Sequence, residues 1–187
     1  MKLNKSVKNV FAILIFTVAA VGFFACGDDN SLEELRNNEL AELDTYIKAN
    51  YPNVKPKSSG LYYIEVKKGS GDSINIDDVV QIYYAIWDID STLKYQTSGY
   101  IDGYRFEQEE FKVKPANTLS PEYAEHLLQT PGLHEAITYM QPGTVANVVL
   151  NSGLAFGQNG LMNNYIQISG FTSILVQVEV YKVYPAK

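Results

Sequence analysis

The fold of this chain is decided by the stretch Pro131–Gly143, which reads PGLHEAITYMQPG. Proline is favoured in the first turn of a helix, because its missing N–H has no helical partner there. Leu133, Ile137 and Met140 recur at helical spacing and predict one buried face. The Gln-Pro-Gly that follows is typical of a tight turn. We therefore expect a short helix over Gly132–Met140.

Strands on both sides of this helix are predicted by apolar residues in alternation, the pattern of a half-buried strand. The alternating sets are Tyr62, Ile64 and Val66; Val80, Ile82 and Tyr84; Ala146, Val148 and Leu150; and Ile174, Val176, Val178 and Val180. Asp88–Ser91 is typical of a hairpin turn, with Tyr95 in its return strand, and Phe106 is a strand-like residue of the next segment. Ala155–Ser173 is a long loop. This order predicts an α+β domain, an antiparallel sheet with one short helix before its penultimate strand.

The composition of the chain excludes several classes of protein. The 187 residues include 15 Lys and Arg against 21 Asp and Glu, a formal net charge of −6. Because nucleic-acid binding needs clustered basic residues, we expect no nucleic acid as partner. One Cys and two His give no basis for a disulfide framework or a zinc site. The sequence therefore predicts neither a metal nor another cofactor.

The N terminus has the pattern of an export signal. Three lysines within the first eight residues precede the apolar stretch Val10–Ala25, which is short for a membrane span of about 20 residues. Cys26 follows directly, and the sequence Phe-Phe-Ala-Cys resembles a bacterial lipobox in which Phe replaces the usual leucine. This resemblance implies removal of residues 1–25 and lipidation of Cys26. The alternative is an ordinary signal peptide or anchor with an unrelated cysteine.

Residues 26–59 are predicted to be a lipidated tether, a helix and a linker. The acids in Gly27–Asn30 resemble the surface-export signals of Bacteroidetes lipoproteins, although a solvated tether would have the same composition. A helix begins near Ser31 and ends before Pro52, which cannot donate a helical hydrogen bond. Its stripe of leucines can dock on its own domain or on a partner. We expect an exported, membrane-anchored protein on the periplasmic or cell-surface side.

The order of motifs over residues 60–187 resembles the FKBP family of peptidyl-prolyl isomerases. The motifs are Asp78–Tyr84, Pro131–Ile137, Met140–Gly143, Ala155–Gly157 and Val176–Val180. The resemblance implies a curved antiparallel sheet wrapped on one short helix, here with an extra N-terminal helix. It also implies a pocket between helix and sheet that is lined by aromatic residues and open to solvent.

The same resemblance assigns residues to this pocket. They would be Leu133 as the floor; Tyr84, Phe111, Val113 and Val176 as walls; Phe156 and Ile168 from the long loop; and Thr130 as the donor of its backbone N–H to a substrate carbonyl. For each apolar residue, simple packing in the core is the competing interpretation. The family usually has tryptophan at the floor, tyrosine where Phe156 stands and phenylalanine where Val176 stands.

Two registers are possible for a further wall and its neighbouring acid, which the family supplies as Phe-Asp. In one register, Asp90–Ser98 takes this place, with Tyr95 as the wall and Gln96 instead of the aspartate. In the other, Asp102–Glu107 does. The first keeps the usual distance from the preceding strand and is preferred, which makes residues 97–110 an inserted flap. A flap that covered the pocket would favour a binding module over an enzyme.

The resemblance implies isomerisation of X–Pro bonds in extracytoplasmic proteins or peptide segments. Rotation has a barrier of about 18–20 kcal/mol that arises from amide resonance. A twisted amide has less charge separation than a planar one, so an apolar pocket binds it better, and no acid, base or nucleophile is required. The alternative is a catalytically weak or inactive module that holds hydrophobic segments or a fixed protein partner.

Overall fold

The structure, a computed structural model, describes residues 28–187, with side chains from residue 31 onward. The helices are α1 (Asp28–Asn50) and α2 (Pro131–Ile137), and the strands are β1 (Tyr62–Lys67), β2 (Val79–Asp88), β3 (Leu93–Gln96), β4 (Glu109–Lys112), β5 (Val145–Leu150), β6 (Leu161–Met162), β7 (Gln167–Ile168) and β8 (Ile174–Tyr184). The predicted signal peptide and Cys26 lie outside the described residues. No helix within residues 28–187 combines the length and apolarity that crossing a membrane requires.

The main sheet is antiparallel, with strand order β1-β5-β8-β2-β3. β4 pairs with the same edge of β2 as β3 does: β3 lies beside Ala85–Trp87 and β4 beside Val79–Ile82. β6 and β7 form a separate small hairpin inside the predicted long loop. The α+β fold class is therefore confirmed, with the short helix directly before the penultimate strand of the sheet.

The inner face of the sheet packs on α2 and forms the main core. The alternation in β2 places Ile82, Tyr84 and Ile86 on this face, all at most 2% exposed. α2 begins as predicted, with a proline in its first turn. The Thr130 side chain caps it by accepting a hydrogen bond from the backbone N–H of Leu133, 3.4 Å away.

The outer face of the sheet is covered in part by the second half of α1. Leu43 and Ile47 pack against Val149 of β5. Buried Glu39 accepts hydrogen bonds from the Ser152 N–H and hydroxyl, both at 2.5 Å, and from the Ser173 hydroxyl at 2.9 Å. Three bonds to a buried carboxylate offset much of the cost of removing it from water.

The second part of α1 and the sheet belong to the same compact unit, which comprises residues 38–187. The domain boundary expected at residue 60 stays a prediction. The part of α1 up to Asn37 belongs to a separate unit, and its Leu32 and Leu35 are exposed. Within residues 38–187, the apolar side chains of α1 that dock on the sheet are Leu43 and Ile47.

The connection from β3 to β4, residues 97–108, packs on the outer face of the sheet. Tyr100 is buried there, with its ring stacked on Tyr83 at a centroid distance of 6.0 Å. Arg105 donates to Glu179 of β8 at 2.8 Å. Phe106, predicted as a strand residue, is 70% exposed and lies outside any strand. The predicted flap therefore lies on the face opposite α2.

Candidate functional site

The residues assigned to the pocket come together on the inner face of the sheet. Seven of the ten are at most 2% exposed: Tyr84, Val113, Thr130, Leu133, Phe156, Ile168 and Val176. The other three, Tyr95, Gln96 and Phe111, are half-buried. The deep residues form part of a continuous core in this structure, and the expectation of a pocket open to solvent stays a prediction. Only the rim residues reach solvent.

The rim is organised around Glu109, a residue to which the family resemblance assigns no role. Its carboxylate accepts hydrogen bonds from the hydroxyl of Tyr84 at 3.0 Å and from the hydroxyl of Tyr95 at 2.7 Å. The two tyrosine rings lie 5.4 Å apart and are tilted by 36°. Glu109 thus fixes both aromatic walls relative to each other through one charged acceptor.

Both phenols of this cluster stay protonated at neutral pH. Burial, reinforced by the negative charge of Glu109, raises the pKa of Tyr84 well above its ordinary value. Burial also raises the pKa of Tyr95 to about 12, and its hydrogen bond to Glu109 acts in the same direction. Protonated phenols can donate to the carboxylate continuously, so the walls present ring surface and no second negative charge.

The structure distinguishes the two registers proposed for the wall beside Tyr84. Tyr95 lies opposite Ile86 in the β2–β3 pair and therefore faces inward, as the first register requires. Gln96 does not take the place of an acid, because its side-chain oxygen accepts from the backbone N–H of Ile101 at 2.8 Å. Glu109 is the acid that contacts the tyrosines, and it belongs to neither register.

Glu109 could have been found from the sequence by strand alternation. It stands two residues before Phe111 and four before Val113, so all three side chains point to one face. Its partner in the register is Ile82, an inner-face residue. The position at which β4 begins could not be recognised from the sequence, because the composition of residues 97–110 is mixed.

The helix entry differs from the expectation at Thr130. Its backbone N–H donates to the carbonyl of Leu127 at 3.0 Å, and its hydroxyl donates to the same carbonyl at 2.8 Å. The amide is therefore not free for a substrate carbonyl in this structure. Leu133 lies beside it at the N-terminal end of α2, buried to 2% exposure.

His134, in α2, is buried, with only 2% of its surface exposed. Its Nδ1 accepts the backbone N–H of Lys114, and its Nε2–H donates to the carbonyl of Leu128, both at 2.9 Å. The ring of Phe111 meets it edge-on at 4.8 Å. Burial lowers the pKa of His134 below its ordinary value. Through these two hydrogen bonds the neutral imidazole links the β4–α2 connection to α2. It lies next to the ring of the rim residue Phe111.

The β4–α2 connection, residues 113–130, also contacts the loop that carries Phe156. The carboxylate of Glu122 accepts from the backbone N–H of Gln158 at 3.1 Å and lies directly over Gly157. Gly157 has a φ of +62°, a left-handed conformation that favours glycine, and a Cβ there would displace the Glu122 carboxylate. This contact joins two segments that border the buried residues.

The arrangement offers binding surface rather than reactive groups. Within the described chain, no group of three or more His, Cys, Asp and Glu side chains could hold a metal ion. The aromatic and aliphatic walls provide an apolar environment, and Glu109, Tyr84 and Tyr95 provide a fixed polar edge. Such a surface favours the less polar, twisted form of an amide over the planar form.

An antiparallel sheet with one short helix before its penultimate strand, and with aromatic residues between sheet and helix, is the arrangement of the FKBP-type fold class. Comparisons with solved structures support this assignment. The chain is similar to FkpA from Escherichia coli, at 21% identity and a TM-score of 0.61, over 100% of this chain and 76% of that one. It is similar to a peptidyl-prolyl cis-trans isomerase from Pseudomonas syringae pv. tomato, at 19% identity and a TM-score of 0.60, over 85% and 100%.

A third similar structure contains the three FKBP domains of wheat FKBP73, at 20% identity and a TM-score of 0.53. That likeness covers 67% of this chain and 45% of that one. No family model and no curated protein sequence matches the chain. At these identities the comparisons establish the fold: this chain has the FKBP-type fold with an N-terminal helix.

Proposed function

We propose that this protein is a peptidyl-prolyl cis-trans isomerase that assists folding of exported proteins. The observation that carries the proposal is the meeting of Tyr84, Tyr95, Phe111 and Leu133 on the inner face of an FKBP-type sheet. Two of the similar structures are FKBP-type or peptidyl-prolyl isomerase proteins by description. The substrate is an X–Pro segment of a polypeptide, and no cofactor takes part.

Catalysis in this proposal arises from differential binding. The X–Pro amide enters beside Phe111 and Tyr95, and the apolar walls favour its twisted transition state over the planar ground state. Each 1.36 kcal/mol of that preference is a tenfold acceleration. The buried residues must become accessible for this step, so a local opening at the rim precedes binding.

The test is exchange NMR on X–Pro peptides with varied X, with and without the protein. Acceleration of cis/trans exchange is expected, and Leu133→Ala should abolish it. Because Leu→Ala in a core costs about 2–5 kcal/mol of stability, Phe111→Ala at the half-buried rim is the second variant. Leu93→Ala, on the exposed side of β3, is the matched control. Acceleration of cis/trans exchange that is equal in the wild type and in both site variants would contradict the proposal.

A second function is favoured by the low exposure of the deep pocket residues. A site that stays closed would bind hydrophobic segments or a fixed partner at its rim without useful turnover. Peptide-induced shifts at Tyr95 and Phe111 without accelerated exchange would support this module. The test above therefore separates the two functions.

We also propose that the protein is anchored as an exported lipoprotein through Cys26. The lipobox-like sequence before this cysteine supports the proposal. Acyl chains contribute about 0.8 kcal/mol per buried methylene to membrane attachment. Incorporation of a labelled fatty acid that Cys26→Ser abolishes is the expected result. Equal labelling of the variant would contradict the anchor, and protease accessibility on intact cells would give the membrane face.

A further inference from the structure

The most exposed apolar side chains of the described chain are gathered beside one groove. Tyr165, Met162 and Tyr123 are 87%, 77% and 84% exposed, more than any other large apolar residue described. Tyr123 and Met162 line a groove of about 650 Å³, and Tyr165 lies at the tip of the same β6–β7 hairpin. Exposed apolar surface concentrated at one place marks an interaction site.

The two walls of this groove are fixed relative to each other. One wall is the turn Glu122–Glu125 of the β4–α2 connection, and the other is Gly160–Asn163. Glu122 joins them, because its carboxylate accepts from Gln158 and its carbonyl accepts from the Asn159 side chain at 3.4 Å. A groove that is already formed loses little conformational entropy when it binds.

The floor of the groove is continuous with the candidate isomerase site. Ala124 and Leu161 are 8% and 7% exposed. Both belong to the same apolar cluster as Phe156 and Ile168, which were assigned to the pocket. The groove therefore lies over the same core as the residues assigned to the pocket.

The charge of the groove selects its occupant. Glu122 and Glu125 line it, no Lys or Arg does, and neither acid takes part in the ion pairs of the described residues. One oxygen of Glu122 is buried without a hydrogen-bond partner, whereas Glu125 is exposed, so Glu125 is the acid that a bound basic side chain reaches. Tyrosine rings attract Lys and Arg through their faces, and the Met162 side chain adapts to varied neighbours.

We propose that this groove binds a Lys- or Arg-bearing segment of the client polypeptide next to its X–Pro bond. The inference rests on the proposed function and specifies its substrate class. The basic side chain pairs with Glu125 and lies over Tyr123, while apolar parts of the segment contact Met162. Clients with basic residues near proline are thereby preferred over neutral or acidic ones.

The test compares three peptides that share one X–Pro core and carry a Lys, Gln or Glu tail. Calorimetry on the full chain at low salt should give about two- to fivefold tighter binding of the Lys tail than of the Gln tail. This gain should shrink at high salt because screening weakens exposed ion pairs. Glu125→Gln and Tyr123→Ala should each remove most of the gain. Glu65→Gln, which removes an exposed carboxylate on β1, is the matched control and should retain it.

Three results would overturn the groove assignment. They are equal affinity for the Lys and Gln tails, equal loss of the gain in Glu65→Gln and Glu125→Gln, and concentration-dependent dimers that Tyr123→Ala dissociates. The last result would assign the surface to a second copy of the chain.

Exchange NMR on the Gln-tail peptide tests the isomerase separately. Tail-dependent binding without accelerated exchange would support the groove while the isomerase proposal fails.

Discussion

The two long connections of this domain lie on opposite faces of the same sheet. Residues 97–108 cover the outer face through Tyr100, which stacks on Tyr83. Residues 113–130 lie on the inner side, where Leu127 joins the core that contains Tyr84. Tyr83 and Tyr84 are neighbours in β2, so the two-residue period of a strand decides which connection can affect the site. The length of a connection does not decide whether it can affect the site.

The largest effect is expected in the outer connection, where a substitution should lower the stability of the fold without changing the affinity for peptide. Tyr100→Ala removes a buried ring from the outer face and should lower the free energy of unfolding by about 3 kcal/mol. Affinity for an X–Pro peptide should remain unchanged, because the ring lies on the face opposite α2. Urea unfolding and calorimetry measure the two quantities. A loss of affinity in folded Tyr100→Ala would show that the outer connection does reach the site.

On the inner face, Glu109→Ala should lower stability by less than Tyr100→Ala does. Unlike Tyr100→Ala, it should also change peptide binding. It leaves the buried Tyr84 hydroxyl without its acceptor, which should cost about 2 kcal/mol of stability. It also frees the Tyr95 ring and should weaken peptide binding. Glu110→Ala, the exposed neighbour whose carboxylate accepts from Gln81, should cost less than about 0.5 kcal/mol. Equal effects of the two substitutions would contradict the role of Glu109.

The inner connection should also make stability depend on pH through His134. Burial lowers the pKa of this imidazole, and the charge of Lys114 lowers it further. The unfolded chain, with an ordinary His pKa of about 6.5, then binds a proton more readily than the folded chain. Stability is therefore fully present above about pH 6.5 and falls as the pH decreases below it.

Urea unfolding at pH 7.5 and pH 5.5 checks this expectation, with His134→Gln as the test variant. The pH-dependent loss should be smaller in the variant than in the wild type. His126→Gln, which changes the half-buried histidine of the same connection, should leave the loss unchanged. A loss of the same size in wild type and His134→Gln would assign it to other groups.

The smallest effect is expected at the exposed ion pair of the outer connection. Arg105 is about half exposed and pairs with Glu179 at 2.8 Å, and such pairs contribute about 0–1 kcal/mol. Arg105→Gln should therefore lower stability by less than 1 kcal/mol and leave peptide affinity unchanged. Lys112→Gln, which breaks the exposed pair with Asp77, is the matched control. A cost well above 1 kcal/mol would indicate that Arg105 also holds Tyr100 in place.

Much of the fold followed from the sequence because local signals agreed with each other. The proline and apolar face of Pro131–Ile137 gave α2, and strict alternation gave β2, β5 and β8. The helix before Pro52 ended as expected, at Asn50. These segments carry their own periodicity, so no knowledge of distant contacts was needed.

The parts that were missed depend on contacts between distant segments. Glu109 is an acid in a mixed segment, and its role is visible only once Tyr84 and Tyr95 lie beside it. His134 is buried because the preceding connection folds over it, which a helical wheel cannot show. The burial of the deep pocket residues likewise depends on how the surrounding loops pack against each other.

NMR of ¹³C-labelled tyrosine rings during titration with an X–Pro peptide tests directly whether the inner face of the sheet binds the peptide. We expect the signals of Tyr84 and Tyr95 on the inner face to shift with peptide, whereas those of Tyr83 and Tyr100 on the outer face should not. Tyr→Phe variants of these four residues assign the signals. Shifts confined to Tyr83 and Tyr100, with none at Tyr84 and Tyr95, would contradict the assignment of the site.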